Sequence, residues 1–417
     1  MAADKSLDIY TQTGGAPGRT SGAKTVWRNT GDTNYRGKDP SSLITYWESI
    51  NWIDGSGTPS STTNPHMVTL SDQTVVLAYR YLASSIPSIA IRTRHKTTGA
   101  WSSATLVFTG TIGISCGFPA LVVLPDDKLM LYFWRQTNNA ANIRAYVSTD
   151  KGANWSLASG GILASTISTA GSFGSGNAGF ELGRLRGAYA NGQVLLVGEL
   201  QDHDTDKTSC QHFIQLASNS MGADFSQIEI ASDNSVFTAA PEVVAHNGEF
   251  LIYSINATVD QIKQTRIGSA YDSITNSYGN TVITGNAISE SLFAFGVLSS
   301  GTEYATDADL SAFVDSEGRL YLIATYFANS GGTGATKQVT IYRSDDNGES
   351  WAAVGTKGSL SSGGDGIWWE SGDSSTYPTN YTATACQGRV IVVTNHEASP
   401  GNEDNSLSAF YLGGWSD

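Results

Sequence analysis

The sequence repeats one pattern six times: an apolar run, a short polar turn and a second apolar run. The copies are HMVTLSDQTVVLAYR (66–80), ALVVLPDDKLMLYFW (120–134), RGAYANGQVLLVGEL (186–200), EVVAHNGEFLIYSI (242–255), SAFVDSEGRLYLIATY (311–326) and TATACQGRVIVVTN (382–395). Five turns contain Asn, Asp, Gln, Ser or Gly and the other is Pro-Asp-Asp, which is the chemistry of a hairpin reversal. The turns recur at intervals of about 55 to 71 residues, which predicts an all-β repeat fold.

A third apolar run follows the hairpins, and in two units it ends in similar octets, STDKGANW (148–155) and SDDNGESW (344–351). The segment 218–225 is a degenerate copy, and the first unit retains Gly99 and Trp101. Ser and Asp side chains can bond to the backbone of a turn, Gly allows a positive φ, and Trp can pack between units. We assign this structural role to Ser148, Asp150, Gly152, Trp155, Ser344, Asp346, Gly348 and Trp351.

The pattern S-x-D-x-G-x-x-W resembles the Asp box of the sialidase family. The resemblance covers residues 66–417 and implies a six-bladed sialidase-like β-propeller, in which Asp boxes are structural and lie opposite the active site. We expect residues 46–417 to form this propeller and residues 1–45 to form an extended N-terminal arm that contacts a partner. The last unit ends after three strands, so the segment 24–30 or 44–52 is expected to supply its closing strand.

Composition excludes several classes of protein. Lys and Arg number 24 against 38 Asp and Glu, for a net charge of −14, and such a chain repels a phosphate backbone, so we expect no nucleic-acid partner. We also expect no membrane span and no signal peptide, since there is no long apolar run and no apolar stretch near the start. The three cysteines are too widely spaced for a disulfide framework.

The resemblance also implies three arginines that hold a substrate carboxylate, an acid and a tyrosine nucleophile. Asn64 stands where the first arginine belongs, before Pro65, and Thr258 stands in the place of the second. The loop expected to hold the acid, YLASSIPS, contains no Asp or Glu, although Tyr377 and Tyr381 lie near the place of the nucleophile. We therefore expect no sialidase activity.

Other glycosidases use two facing carboxylates, and the loops expected opposite the octets supply several acids. These are Glu181, Glu242, Glu290, Glu303, Asp307, Asp309, Glu370 and Asp373. The catalytic candidates that we retain are Glu242, Asp307 and Tyr381. Solvated loop acids that take no part in chemistry are the alternative, and no pair is distinguished by sequence.

Two stretches combine tryptophan with carboxylates, the side chains that stack on sugar rings and accept sugar hydroxyls. GIWWESGDSSTY contains Trp368, Trp369, Glu370 and Asp373, and TYWESINW contains Trp47. In FELGRLR, Arg184 and Arg186 lie where a strand enters the centre of the propeller and can hold an anion. We predict ligand contacts from all seven residues, with packing between units as the alternative for the tryptophans.

The only metal candidates are Asp202, Asp204 and Asp206 in DHDTDK. Oxygen ligands at alternate positions suit Ca²⁺, but an acidic solvated loop explains them as well, so we predict no obligatory cofactor.

Two functional hypotheses remain. The first is a carbohydrate-recognising, non-catalytic receptor- or surface-binding module of a phage tail or virion, with the arm contacting other assembly proteins. The second is an exo-glycosidase or polysaccharide lyase that acts on a surface glycan with a non-sialidase residue set.

Overall fold

The structure is a computed structural model, and almost all of the chain that it describes is β-strand. The described residues are 47–52, 63–83, 86–111, 114–137, 140–162, 180–202, 207–216, 225–228, 238–256, 261–267, 272–275, 281–284, 288–294, 309–315, 317–327, 337–357, 378–387, 389–396 and 406–412. Within these ranges there are 26 strands and one 3₁₀ turn, Pro125–Asp127.

The strands form six sheets, in each of which consecutive strands pair as antiparallel neighbours. The first sheet contains β2 (Thr63–Thr69), β3 (Val75–Ala83), β4 (Ile86–Arg94) and β5 (Thr105–Thr109). The second contains β6 (Ile114–Val123), β7 (Leu129–Thr137), β8 (Ala140–Ser148) and β9 (Ser156–Ile162). The third contains β10 (Phe180–Ala190), β11 (Gln193–Asp202), β12 (Lys207–Leu216) and β13 (Phe225–Ile228).

The remaining three sheets follow the same plan. The fourth contains β14 (Thr238–His246), β15 (Glu249–Asn256), β16 (Gln261–Ile267) and β19 (Ile288–Ala294). The fifth contains β20 (Asp309–Val314), β21 (Leu320–Phe327), β22 (Lys337–Ser344) and β23 (Ala352–Lys357). The sixth contains β24 (Pro378–Cys386), β25 (Arg389–His396), β26 (Ser406–Leu412) and the N-terminal strand β1 (Trp47–Trp52).

All six sequence-predicted hairpins are present. They are the antiparallel pairs β2–β3, β6–β7, β10–β11, β14–β15, β20–β21 and β24–β25. Several turn residues adopt a positive φ, as Asn191, Asn247 and Gln387 do, and polar residues tolerate this conformation better than apolar ones.

The outermost strand of the sixth sheet comes from the start of the described chain. β1 pairs antiparallel with β26, with Trp47 opposite Leu412 and Trp52 opposite Ser408. Of the two candidate segments, 44–52 therefore contains the strand that pairs here, whereas 24–30 lies outside the described residues. This pairing covers an edge that β26 would otherwise expose.

The third sheet carries two strands that the sequence did not predict. The short hairpin β17 (Asp272–Thr275) and β18 (Thr281–Thr284) falls in the chain between β16 and β19 of the fourth sheet. β18 nevertheless pairs in parallel with β13, the outer strand of the third sheet. The insertion thus ties two neighbouring sheets together.

The first strands of the six sheets contact one another in the order β2, β6, β10, β14, β20, β24, and β24 contacts β2. Hydrogen bonds strengthen these contacts: the Met67 N–H donates to Thr382 Oγ1 at 3.2 Å, and the Ala383 N–H donates to Ser311 Oγ at 2.9 Å. Apolar residues fill the spaces between adjacent sheets, and Val76, Ile89, Leu131 and Phe133 share one such cluster. Burial of this apolar surface is the main driving force for the arrangement.

The two octets fold into the same turn. Ser148 Oγ accepts from the Gly152 N–H and donates to Asp150, both at 2.8 Å. Ser344 makes the same two bonds at the same distances with Gly348 and Asp346. The bonds from the side chain and the N–H of Asn154 hold the pKa of Asp150 below its usual range.

Each octet turn lies against the preceding sheet. The Lys151 ammonium is 2.9 Å from Asp72 and 3.2 Å from Asp127, which in turn accepts from Ser71. In the later octet, Gln264 donates to the Gly348 carbonyl at 3.0 Å, and the Trp351 ring meets Tyr253 edge-on at 5.5 Å. We call this end of the sheets, where the hairpin turns also lie, the octet end.

Replacing Ser344 by Ala tests the contribution of this turn. Ser344 is buried, and the change leaves the buried Gly348 N–H without its acceptor, so the free energy of unfolding should fall by about 1–3 kcal/mol. Urea denaturation measures the loss, with Ser156→Ala at an exposed position as the control. Equal stability of the two variants would show that the serine is dispensable.

Candidate functional site

Register shifts in three of the first strands change the direction of the side chains beside them, and two of these side chains are polar. In β2, β6 and β14 the pairing shifts between Thr63 and His66, Gly117 and Ala120, and Ala239 and Glu242. Each shift contains a residue with positive φ followed by proline: Asn64-Pro65, Phe118-Pro119 and Ala240-Pro241. β-bulges re-aim the side chains beside them, and the residue that follows the proline is His66 in β2 and Glu242 in β14.

The central polar cluster joins Glu242 to two arginines of β10. Arg184 Nη2 and Arg186 Nε donate to Glu242 Oε1 at 2.5 and 2.7 Å. Arg184 also donates to the Leu310 carbonyl of β20, and Arg186 donates to the Pro65 carbonyl of β2 at 3.5 Å. The side chains of the three charged residues are only 3–5% exposed. The cluster therefore links four of the six first strands.

His66 lies beside this cluster as a neutral imidazole. Its Nδ1 accepts a hydrogen bond from the Leu121 N–H at 2.8 Å, so the ring proton is on Nε2. Burial, followed by the charges of Arg186 and Arg184, holds the pKa of His66 well below its usual range. A proton on Nδ1 would also break the bond from Leu121.

The buried His66 makes stability depend on pH. The unfolded chain binds a proton at this residue below about pH 6.5 and the folded chain does not, so the free energy of unfolding should fall on acidification below that pH. The slope attributable to His66 should approach 1.4 kcal/mol per pH unit, about the limit for one proton. Urea denaturation between pH 7.5 and 5 measures it. His66→Gln removes the titration, and an unchanged slope in this variant would contradict the assignment.

The structure brings together three residues from separate sequence predictions. Arg184 and Arg186 were predicted to bind a ligand and Glu242 to be catalytic, and here they bind one another. His66 was missed by sequence reasoning. The repeated x-Pro step before His66, Ala120 and Glu242 is the signal that could have placed it at the centre.

The other predicted residues are placed only in part. Tyr381 lies in β24, Asp202 ends β11 and Trp47 begins β1. The register puts Trp47 opposite Leu412, at the octet end of the sixth sheet, whereas β24 begins at the other end, with Pro378 opposite His396. The predicted site residues outside the described part of the chain are Asp204, Asp206, Asp307, Trp368, Trp369, Glu370 and Asp373.

Two cysteines are buried thiols. Cys116 and Cys386 are each 3% exposed, and burial raises the pKa of Cys116 to about 12. In the described ranges, no group of three or more His, Cys, Asp or Glu side chains is placed to hold a metal ion. Among the same residues, no helix has the length and apolarity that a membrane crossing requires.

Comparison of the sequence with family models and with curated proteins finds no match. Solved structures do resemble it. A Dyadobacter fermentans protein of unknown function aligns with a TM-score of 0.52 at 14% identity, over 87% of this chain and 98% of its own. A mutant of the NanB sialidase from Streptococcus pneumoniae aligns with a TM-score of 0.55 at 11% identity, over 89% of this chain and 71% of its own.

The sialidase of Trypanosoma rangeli is a third similar structure. It aligns with a TM-score of 0.54 at 13% identity, over 87% of this chain and 57% of its own length. At such identities the likeness shows the fold alone. That fold is a sialidase-like β-propeller.

Proposed function

We propose that the chain is a six-bladed β-propeller that recognises carbohydrate without cleaving it. The contact order of the six first strands, which returns from β24 to β2, supports six blades. The resemblance of the two octets to Asp boxes supports the sialidase-like type. The structural likeness to the two sialidases named above supports carbohydrate as the class of ligand.

The observation that carries the non-catalytic assignment is the cluster of Arg184, Arg186 and Glu242. The two guanidinium groups that were expected to hold an anion of the ligand already hold a carboxylate of the protein, at 2.5 and 2.7 Å. Displacing Glu242 would leave a buried carboxylate unpaired, which costs several kcal/mol. Glu242 is equally unsuited to general acid catalysis, because its oxygen accepts from both arginines and its side chain is buried.

We assign glycan contact to the stretch that precedes β24, with Trp368 and Trp369 as stacking platforms and Glu370 and Asp373 as hydroxyl acceptors. This stretch leads to Pro378, at the end of the sixth sheet opposite the octet end. Long loops on a rigid scaffold are where binding residues concentrate. Trp47, which begins β1 near the octet end, is a separate contact in this proposal.

We further propose that this module acts on a phage tail or virion, with residues 1–45 contacting other assembly proteins. The Gly-, Ser- and Thr-rich composition and the low lysine content support this setting. Co-purification of assembly proteins with the full chain, and its loss on deletion of residues 1–45, is the corresponding test.

A glycan array and a panel of fluorogenic glycosides and acidic polysaccharides together test the central proposal. We expect glycan binding without turnover, with binding lost in Trp368→Ala and retained in Trp101→Ala, a tryptophan of the first sheet near the octet end. Turnover that disappears in Asp307→Asn or Tyr381→Phe would establish the glycosidase or lyase hypothesis instead. An array on which nothing binds would refute carbohydrate recognition.

A further inference from the structure

Three arginines project into the gap between the first and second sheets. Arg80 of β3 lies on the same face as Val76 and Ala78, which belong to the apolar cluster between these two sheets. The aliphatic part of the Arg80 side chain lies close to Gly117 of β6. A Cβ atom added to Gly117 would be 3.5 Å from Arg80 Cδ. Arg80 therefore points across the gap towards the second sheet.

The second sheet contributes Arg135 and Arg144 to the same gap. Arg135 is the cross-strand partner of Cys116, and Arg144 is the partner of Phe133. Cys116 and Phe133 both belong to the cluster shared with Val76 and Ala78. Since cross-strand partners project from the same side of a sheet, all three arginines enter one space. We call it the arginine cleft.

The arginine cleft lies towards the end of the sheets opposite the octet end. Arg80 pairs with Thr63, the first residue of β2, and Arg135 is close to the last residue of β7. Segments 84–85, 112–113 and 138–139, which connect strands at this end, contain only Ser, Ile, Gly and Asn. These three connections supply no acid, whereas Asp54, in the segment that leads to β2, is outside the described residues.

The three arginines have no internal counter-charge among the residues that the structure describes. The Nε atoms of Arg80, Arg135 and Arg144 are buried and have no hydrogen-bond partner there. Between residues 73 and 180 the only acids in the sequence are Asp126, Asp127 and Asp150. All three lie in turns at the octet end, so the first two sheets cannot neutralise the cleft.

Several other arginines of the described chain are paired with carboxylates, unlike the three in the cleft. Arg186 bonds to Glu242, Arg266 is 2.5 Å from Glu249, and Arg343 is 2.8 Å from Asp345. A protein with 38 acidic residues and 24 Lys and Arg has an ample supply of carboxylates for such pairs. Three like charges in a partly buried gap repel one another, and an external anion would relieve that repulsion.

We propose that the arginine cleft binds the anionic group of an acidic glycan, held by Arg80, Arg135 and Arg144. A guanidinium fork matches a carboxylate or a sulfate with two parallel N–H donors. This inference rests on the proposed carbohydrate recognition and specifies its ligand as an acidic sugar. The cleft and Pro378, which follows the tryptophan stretch in the sequence, both lie towards the end opposite the octets, and we propose that one extended polysaccharide contacts both.

Calorimetric titration of the full chain with glucuronate, N-acetylglucosamine 6-sulfate and neutral N-acetylglucosamine tests the proposal. We expect binding of at least one charged sugar, and a loss in affinity of roughly tenfold or more in Arg80→Gln, Arg135→Gln or Arg144→Gln, as for a lost charge-assisted bond. Arg343→Gln, which removes a paired arginine at the octet end, is the matched control and should bind like the parent. The two charged sugars distinguish carboxylate from sulfate recognition.

The possible outcomes separate this inference from the proposed function. Charged sugars that bind no better than the neutral one, or cleft variants that match Arg343→Gln, would overturn the arginine cleft while array binding through Trp368 could still stand. Binding of a charged sugar that depends on the three arginines, with array binding unchanged in Trp368→Ala, would uphold the cleft and overturn the assignment of glycan contact to Trp368. Urea denaturation shows whether each variant is folded, and loss of a charge without a partner should not lower its stability.

Discussion

Glu242→Gln should lower the free energy of unfolding by about 3–5 kcal/mol, the usual cost of breaking a buried ion pair. The change removes the negative charge from a site where two guanidinium groups remain buried, and the amide can accept from them only as a neutral group. The side chains of Arg184 and Arg186 are 5% and 3% exposed, so water cannot replace the lost charge. Urea denaturation of the parent and the variant at neutral pH measures the difference.

Glu249→Gln is the control for this prediction. Glu249 also pairs with an arginine, Arg266, at 2.5 Å, but its side chain is 31% exposed. A pair this exposed contributes about 0–1 kcal/mol. Equal losses in the two variants would mean that burial of the central cluster has no energetic consequence. Replacing Arg184, Arg186 and Glu242 together by Met, Leu and Leu should recover much of the loss, since apolar side chains need no counter-charge.

Phe133→Ala should be comparably destabilising, by about 3–5 kcal/mol, because it opens a cavity where two sheets meet. Phe133 is fully buried, and its ring stacks on Tyr146 at 5.8 Å and lies tilted against Phe108 at 5.0 Å. These partners come from the third strand of its own sheet and the outer strand of the preceding one. The cost combines lost apolar burial with lost contact between sheets.

Leu157→Ala provides the comparison at the surface. Leu157 belongs to the same sheet as Phe133 but is 52% exposed, so its loss should change the free energy of unfolding by no more than about 0.5 kcal/mol. Thermal and urea denaturation of both variants give the comparison. A Phe133→Ala protein as stable as Leu157→Ala would imply that the sheets do not pack through this ring.

Local pattern predicted the hairpins well because strand, turn and strand are adjacent in the sequence. Asn191 and Asn247 have the turn chemistry that their positive φ requires, and the alternation around them needs no distant partner. Ser148 and Ser344 were likewise assigned to turns from residue type alone, and their bonds to Gly152 and Gly348 are the same in both octets.

Long-range placement could not be read in the same way. Nothing in the sequence near Asp272–Thr275 indicates that its hairpin leaves the fourth sheet to extend the third. Arg186 and Glu242 were predicted as separate ligand and catalytic residues, because each alone resembles an accessible functional group. Only their 2.7 Å separation identifies them as partners.

The sequence by itself determined the all-β class, the six hairpins and the octet turns. These depend on side-chain alternation and on backbone preferences that act over a few residues. The tertiary structure decided which charges are neutralised. Glu242 pairs with Arg184 and Arg186 of a neighbouring first strand, whereas the Nε atoms of Arg80, Arg135 and Arg144 are buried with no hydrogen-bond partner in the described chain. Pairing of this kind depends on distance and burial, because a charge interacts strongly only with groups that folding brings close to it and away from water.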